Sequence, residues 1–153
     1  MGPIINPSFP KNQMVGVYDL DVMDLYHEVF RESGQNYLII HSLDGYDEIS
    51  LTAPVKIMAN SFERIVTPQE LGLETTTASQ IDGGNTIDEA VKICLSVLSN
   101  TSTKAQKQVV IANAAMGIKS IKPLQSLEDC IAQATESIES GKALQVLKKL
   151  TNF

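Results

Sequence analysis

Four consecutive large hydrophobic side chains, Tyr37, Leu38, Ile39 and Ile40, interrupt an otherwise polar stretch. A half-exposed strand would alternate apolar and polar positions, so this run predicts a strand buried on both faces. Upstream, residues 13–18 read as a second short buried strand, with Gly16 marking a close approach by another backbone or a ligand. Between them Val22, Leu25, Tyr26, Val29 and Phe30 fall at i, i+3, i+4, i+7 and i+8. That amphipathic stripe predicts a helix over 21–33 with the stripe turned inward. Asp19 or Asp21 supplies its cap and Gly34 its stop. Strand, helix and strand over 13–41 then form a right-handed parallel crossover.

Past residue 50 the pattern shortens. Residues 51–60 and 61–66 read as two short strands joined by a polar turn at Asn60-Ser61. Pro54 places the first at a sheet edge or interrupts it. Pro68 opens one helical turn over 68–71, and the Thr-, Ser- and Gly-rich residues 74–84 read as a connecting loop. From Thr86 onward the chain is helical. Thr86-Ile-Asp-Glu89 is a capping box, followed by one stripe of Ile87, Val91, Cys94, Leu95 and Leu98. After a polar break at 100–103, a helix over 104–118 carries an apolar run at 109–115, broken only by Asn113, which predicts burial nearly all round. Ser126 caps a further helix with Leu127, Ile131, Ala134 and Ile138 inward and Gly141 as its stop, and 142–150 form a last short helix. The fold class is α/β: a helix-covered sheet with one parallel βαβ crossover and a mainly helical C-terminal half.

Residues 1–10 have no period and hold three of the six prolines, which predicts an extended, stiff segment. Its apolar Ile4, Ile5 and Phe9 need a surface to cover, so the natural chain is expected to begin upstream.

Composition narrows the function. With 153 residues the chain is one domain or a large piece of one. A net charge of −6 and basic residues never more than two in a row argue against a nucleic-acid surface. A phosphorylated small molecule stays open, since it needs only a few local donors or a metal. Cys94 and Cys130 lie in helical patterns without metal-ligand spacing and are expected as buried free thiols in a reducing cytosol. Nothing resembles a signal peptide or a membrane span, so a soluble cytoplasmic location is expected.

The candidate chemistry follows the buried strand. After His41 and Ser42 comes the turn pair Asp44-Gly45 and then two adjacent carboxylates, Asp47 and Glu48. Ligands of open α/β sheets collect just past the C-terminal ends of strands. In a strand these two side chains would point opposite ways, so joint use of one ion requires a turn, which Gly45 supplies. Adjacency alone says little. The chain holds three such acidic pairs, against roughly two expected by chance, and Asp88-Glu89 and Glu128-Asp129 sit in first helical turns, where acids favour the dipole. Mg2+ binding at Asp47 and Glu48 and an ordinary surface pair both remain open at this level. Gly83-Gly84 before a helix could hold a phosphate or form a plain turn. His41 could act as an acid or base or be a satisfied hydrogen-bonding residue. Asn113 reads as a cap or bridge to neighbouring backbone, and His27 is assigned no role.

Two motifs carry a resemblance. Gly2-Pro-Ile-Ile-Asn-Pro-Ser-Phe-Pro-Lys-Asn-Gln-Met-Val-Gly-Val17 resembles the Leu-Gly-Pro-Leu-x-Asn-Pro-x-x-Pro-x-x-x-x-Gly-Val segment of anthranilate phosphoribosyltransferases. His41-Ser-Leu-Asp-Gly-Tyr-Asp-Glu-Ile-Ser50 resembles that family's His-Gly-x-x-Gly-x-Asp-Glu-Ile-Ser signature. Gly83-Gly84, Asn113-Ala-Ala and Ser140-Gly-Lys-Ala-Leu144 also fit, so the match runs the length of the chain. The resemblance implies a glycosyltransferase of tryptophan biosynthesis, in which the anthranilate nitrogen displaces pyrophosphate from C1 of phosphoribosyl pyrophosphate. It implies that Asp47 and Glu48 bind the Mg2+ carried by the pyrophosphate, with no general base needed.

The chain departs from the family in two ways. Ser42 stands where glycine is usual, tightening the loop and leaving the carboxylates intact. The family's N-terminal helical domain, Gly-Thr-Gly-Gly-Asp loop, Lys-His-Gly segment and anthranilate-contacting arginine have no counterpart. Residues 1–153 are therefore expected to be the C-terminal part of the α/β domain, inactive alone, with the homodimer of the full-length enzyme doubtful for this chain. A non-catalytic binding relative of the same fold, or a pyrimidine nucleoside phosphorylase-like protein, is the alternative. Nucleic-acid and membrane partners are not expected.

Overall fold

The computed structural model describes residues 4–151; Gly2 and Pro3 of the first motif lie outside them. In chain order the elements are β1 (Asn12–Gly16), α1 (Leu20–Ser33), β2 (Asn36–Ser42), β3 (Val55–Ala59), β4 (Glu63–Val66), α2 (Ile87–Leu98), α3 (Lys104–Ile121), α4 (Leu127–Glu139) and α5 (Lys142–Thr151). Single 3-10 turns occur at Gln69–Leu71 and Ala78–Gln80. The strands form one sheet in the order β1-β2-β3-β4. β1 and β2 are parallel, as the strand–helix–strand spacing requires, and the other two pairings are antiparallel. The expected α/β architecture is thus observed. β3 starts just after Pro54 and lies between β2 and β4, so the proline bounds the strand rather than marking an edge. Proline brings no N–H to a ladder, but its carbonyl still accepts from the Leu43 N–H at 2.9 Å.

β2 explains the unbroken hydrophobic run. Successive side chains alternate across a strand. Leu38 and Ile40 join a core that continues through Val55, Ile57, Ile111 and Met116, while Tyr37 and Ile39 join a second core with Met23, Tyr26 and Phe30 of α1. Both faces are covered, so neither can be polar.

Helix ends follow local chemistry more closely than helix faces follow the apolar stripe. Asp19 caps α1 by accepting the Val22 N–H at 2.7 Å, and Gly34 ends it at φ 70°. The inward face is Met23, Tyr26 and Phe30, whereas Leu25 and Val29 of the expected stripe are exposed. Ring packing sets this rotation: Phe30 stacks on Tyr37 at 5.5 Å between centroids and meets Tyr26 edge-on at 5.8 Å. The correction is larger in α2. Its capping box forms as expected, but Ile87 is 83% exposed, Val91, Cys94 and Leu95 also face solvent, and the buried residue is Val97, at 3%. A stripe shows which face is apolar, not that a partner covers it. Cys94 is therefore an exposed thiol; Cys130 alone is buried, and both are free.

In α3, Ile111, Ala112, Ala115 and Met116 are buried, but Val110 and Ala114 face solvent, so burial is one-sided rather than all round. Ser126 caps α4, whose Cys130, Ala134 and Ile138 are buried while Leu127 and Ile131 pack half-buried against the core. Residues 4–10 turn rather than extend: the Phe9 N–H bonds to the Asn6 carbonyl at 3.2 Å, and Asn6 Oδ1 accepts the Ser8 N–H at 3.0 Å. Ile4 packs on the α1-side core, whereas Ile5 and Phe9 stay exposed. Among the described residues no helix is long and apolar enough to cross a membrane.

Candidate functional site

The loop 43–54 leaves the C-terminal end of β2 and returns as β3. Its backbone has no strand partner, yet backbone N–H and C=O groups must be satisfied. The Ser42 N–H bonds to the Tyr46 carbonyl and the Gly45 N–H to the Ser42 carbonyl, both at 2.9 Å, and Gly45 takes φ 100°. Glycine adopts that conformation at little steric cost. The turn required by the paired carboxylates is therefore present, and Asp47 and Glu48 follow it outside any strand, both exposed.

The buried flank of the loop is closely held. Ser42 Oγ donates to the Glu48 carbonyl at 2.7 Å and accepts the Ser50 N–H at 3.3 Å. From α3, Asn113 Oδ1 accepts the Ile49 N–H at 3.0 Å, and Asn113 Nδ2 donates to the Ile49 carbonyl and to the Val109 carbonyl, each at 2.9 Å. Asn113 thus bridges backbone, as its place in the apolar run implied. Gly16 of β1 lies so near Asp47 that a Cβ there would sit 1.7 Å from the Asp47 carbonyl oxygen. The close approach read from the sequence is an approach of backbone to backbone.

The far side of the loop is tied by side chains. Thr52 Oγ1 donates to Asp44 Oδ2 and shares a 2.7 Å hydrogen bond with Ser50 Oγ. Leu51, fully buried, takes φ 60°, a left-handed conformation unusual for a residue with a Cβ. Thr76 pins it by donating its N–H to the Leu51 carbonyl at 2.9 Å and its hydroxyl to the Ser50 carbonyl at 3.1 Å. Nothing in the sequence flagged Thr76 or the Asp44–Thr52 tie. Ser42 was visible as a departure from glycine, but the bonds its hydroxyl makes were not.

His41 is buried and bonds through Nδ1 to the Val17 carbonyl at 2.9 Å. A carbonyl only accepts, so Nδ1 carries the proton, and the residue is the satisfied one rather than an acid or base at that atom. His27 is engaged with the Tyr37 hydroxyl at 2.9 Å. Burial raises the Tyr37 pKa above its ordinary value, the Arg31 charge opposing that rise. Gly83-Gly84 is a turn whose neighbouring donors are already used. The Gly84 N–H bonds to Asp82 Oδ1 at 2.7 Å, and Glu89 Oε2 accepts from the Asn85 and Thr86 N–H groups at 2.8 and 3.1 Å. Side-chain carboxylates thus take the N–H groups that a phosphate would need, which favours the plain turn. The backbone hydrogen bond from Asn85, and then those from Thr86, hold the Glu89 pKa below its ordinary value.

Asp47 and Glu48 differ from these acids. Among the described residues their carboxylates have no hydrogen-bonding or ion-pair partner, and no group of three His, Cys, Asp or Glu side chains converges on one point. Two free hard-oxygen donors do not make a complete cage. They fit Mg2+, which is usually held by one or two carboxylates together with water and substrate phosphates.

Three comparisons place this geometry among known proteins. The model of the glycosyl transferase family, a/b domain, matches residues 1–144. The anthranilate phosphoribosyltransferase of Bacteroides fragilis is 48% identical over 153 residues, covering all of this chain and 46% of that protein. The chain therefore spans about half the length of the curated relatives it matches. Two solved structures share the fold. Anthranilate phosphoribosyltransferase from Thermus thermophilus aligns with a TM-score of 0.86 at 23% identity, over 97% of this chain and 44% of its own. The Saccharomyces cerevisiae enzyme in complex with PRPP and Mg aligns with a TM-score of 0.85 at 23% identity, over 96% and 42%. With a helix-covered sheet, a fixed loop bearing two open carboxylates and a family match over nearly its whole length, the chain belongs to the glycosyl transferase family, a/b domain.

Proposed function

We propose that the chain is part of the α/β domain of an anthranilate phosphoribosyltransferase and that Asp47 and Glu48 are its Mg2+ ligands. The observation carrying this reading is that the loop backbone is held on its buried flank while both carboxylates stay exposed and unpartnered among the described residues. The name of the 48% identical relative supports the transferase over a phosphorylase, and the yeast complex with PRPP and Mg supports the cation. In this reading phosphoribosyl moves from phosphoribosyl pyrophosphate to anthranilate, a step of tryptophan biosynthesis in the cytoplasm.

When bound, magnesium neutralises negative charge on the departing pyrophosphate. The chain's own contribution is placement. Asp47 and Glu48 present oxygen donors at the end of β2, and the loop keeps them there without reorganisation as substrate arrives. His41, with Nδ1 tied to Val17, holds β2 against the segment after β1. This chain alone is expected to release no pyrophosphate.

The test is Asp47→Asn with Glu48→Gln in a full-length transferase carrying this chain. Affinity for phosphoribosyl pyrophosphate should fall and its Mg2+ dependence should disappear. Unchanged affinity with unchanged Mg2+ dependence would show that the carboxylates are ordinary surface residues.

A further inference from the structure

The Glu48–Ile49 peptide is bonded at both of its polar atoms, by side chains from two different elements. Its carbonyl, that of Glu48, accepts from Ser42 Oγ of β2 at 2.7 Å, and its N–H, that of Ile49, donates to Asn113 Oδ1 of α3 at 3.0 Å. A peptide unit is planar, so fixing both atoms fixes the plane and with it the Cα–C bond of Glu48 from which the side chain branches. The next carbonyl, that of Ile49, accepts from Asn113 Nδ2 at 2.9 Å. The second Nδ2 proton goes to the Val109 carbonyl one turn earlier in α3, which locks the Asn113 rotamer to its own helix. Both amide protons and the amide oxygen are thus engaged, and a flipped carboxamide would turn all three contacts repulsive.

We propose that Asn113, with Ser42 as the opposing jaw, is a positioning residue for the Asp47–Glu48 pair: it holds the Glu48–Ile49 peptide so that both carboxylates meet one divalent cation. The inference rests on the metal reading above. Three features set it apart from a general stabilising role. Asn113 is the polar interruption of an apolar helical run, and it spends its two bonds across the core on one loop residue. Ile49 is buried by its own side chain, so the loop is anchored without Asn113, and what the carboxamide adds is orientation. Ser42 supplies bonds that a glycine there could not, so the second jaw belongs to this chain's own sequence. Residues that orient metal ligands typically change metal affinity by about 10- to 100-fold when removed.

The experiment uses the 153-residue chain labelled with 15N, with Mn2+ as the probe, alone and with added pyrophosphate to complete its oxygen shell. Paramagnetic broadening at the Asp47 and Glu48 amides gives its dissociation constant, and amide exchange at Ile49 and Ser50 gives the state of the clamp without metal. Asn113→Ala should raise the Mn2+ dissociation constant about tenfold or more and expose the Ile49 amide to exchange. Ser42→Gly should weaken Mn2+ binding and expose the Ser50 amide, and it carries the test if Asn113→Ala does not fold. Ile138→Val, a buried change in α4, is the control: it should leave the Mn2+ constant unchanged.

Folded Asn113→Ala and Ser42→Gly variants that bind Mn2+ as the parent does would overturn the proposal, as would an equal weakening by Ile138→Val. If the parent shows no Mn2+ broadening either alone or with added pyrophosphate, the metal reading falls and with it the proposal's cation. Ile49 exchange then shows separately whether the clamp exists: loss of protection confined to Asn113→Ala keeps it, and unchanged exchange removes it.

Discussion

Gly16→Ala is the sharpest test of how tightly β1 abuts the carboxylate loop. The added Cβ would lie 1.7 Å from the Asp47 carbonyl oxygen and 2.7 Å from its carbon, where ordinary contact begins at 3.4 Å. Gly16 is not among the residues with positive φ, so the penalty is steric and not conformational. Both colliding atoms are backbone and cannot rotate away. Either β1 withdraws, disturbing the Gly16–Ile40 pairing and the 3.0 Å bond from the Val17 N–H to the Ile40 carbonyl, or the loop lifts off at Asp47. Overpacking of this kind typically costs about 1–3 kcal/mol. At about 2–4 °C per kcal/mol for a domain of this size, the melting temperature should fall by roughly 2–12 °C. Urea unfolding and thermal melting measure the first response, and Mn2+ broadening at the Asp47 amide measures the second. A Gly16→Ala chain with parental midpoint, melting temperature and Mn2+ affinity would refute the close approach.

Other predictions concern the helices. Ile87→Ser on the open face of α2 should change stability by no more than about 0.5 kcal/mol, while Val97→Ala should cost about 2 kcal/mol through lost burial and a cavity; urea midpoints of the two variants check the orientation of α2. An aromatic disulfide reagent should modify Cys94 in the folded chain and reach Cys130 only on unfolding, since Cys130 is buried and desolvation raises its thiol pKa. Because hydrogen bonding depresses the Glu89 pKa, its contribution is complete above the ordinary value of 4.5 and lost as pH falls through the folded value. Glu89→Gln should therefore flatten the acid side of the stability profile, measured as urea midpoints on either side of pH 4.5. Equal acid sensitivity in parent and variant would contradict the capping bonds.

Much of this molecule is legible where chemistry is local. Asp19, Thr86 and Ser126 cap the helices they precede, because a cap is decided within four residues. The four-residue run at β2 announces two covered faces, and Gly45 announces the turn before Asp47 and Glu48. Helix faces are a different matter. Leu25, Val29, Ile87 and Val91 are as apolar as residues that are buried, and only tertiary placement separates them. Ser42, Asn113 and Thr76 converge on the loop from three regions of the chain, so their joint action had no sequence signal beyond a polar residue in an apolar run.

The bonds from Asn113 to Ile49 span 64 residues. On a ribosome adding about 5–20 residues per second, residue 113 is therefore made about 3–13 s after residue 49. For that interval both strands of the β1–β2 crossover have been synthesised and the carboxylate loop still lacks its α3 jaw. The two acids thus begin life as ordinary solvated side chains. The bonds that hold Ile49 are a late product of synthesis, made only when α3 docks.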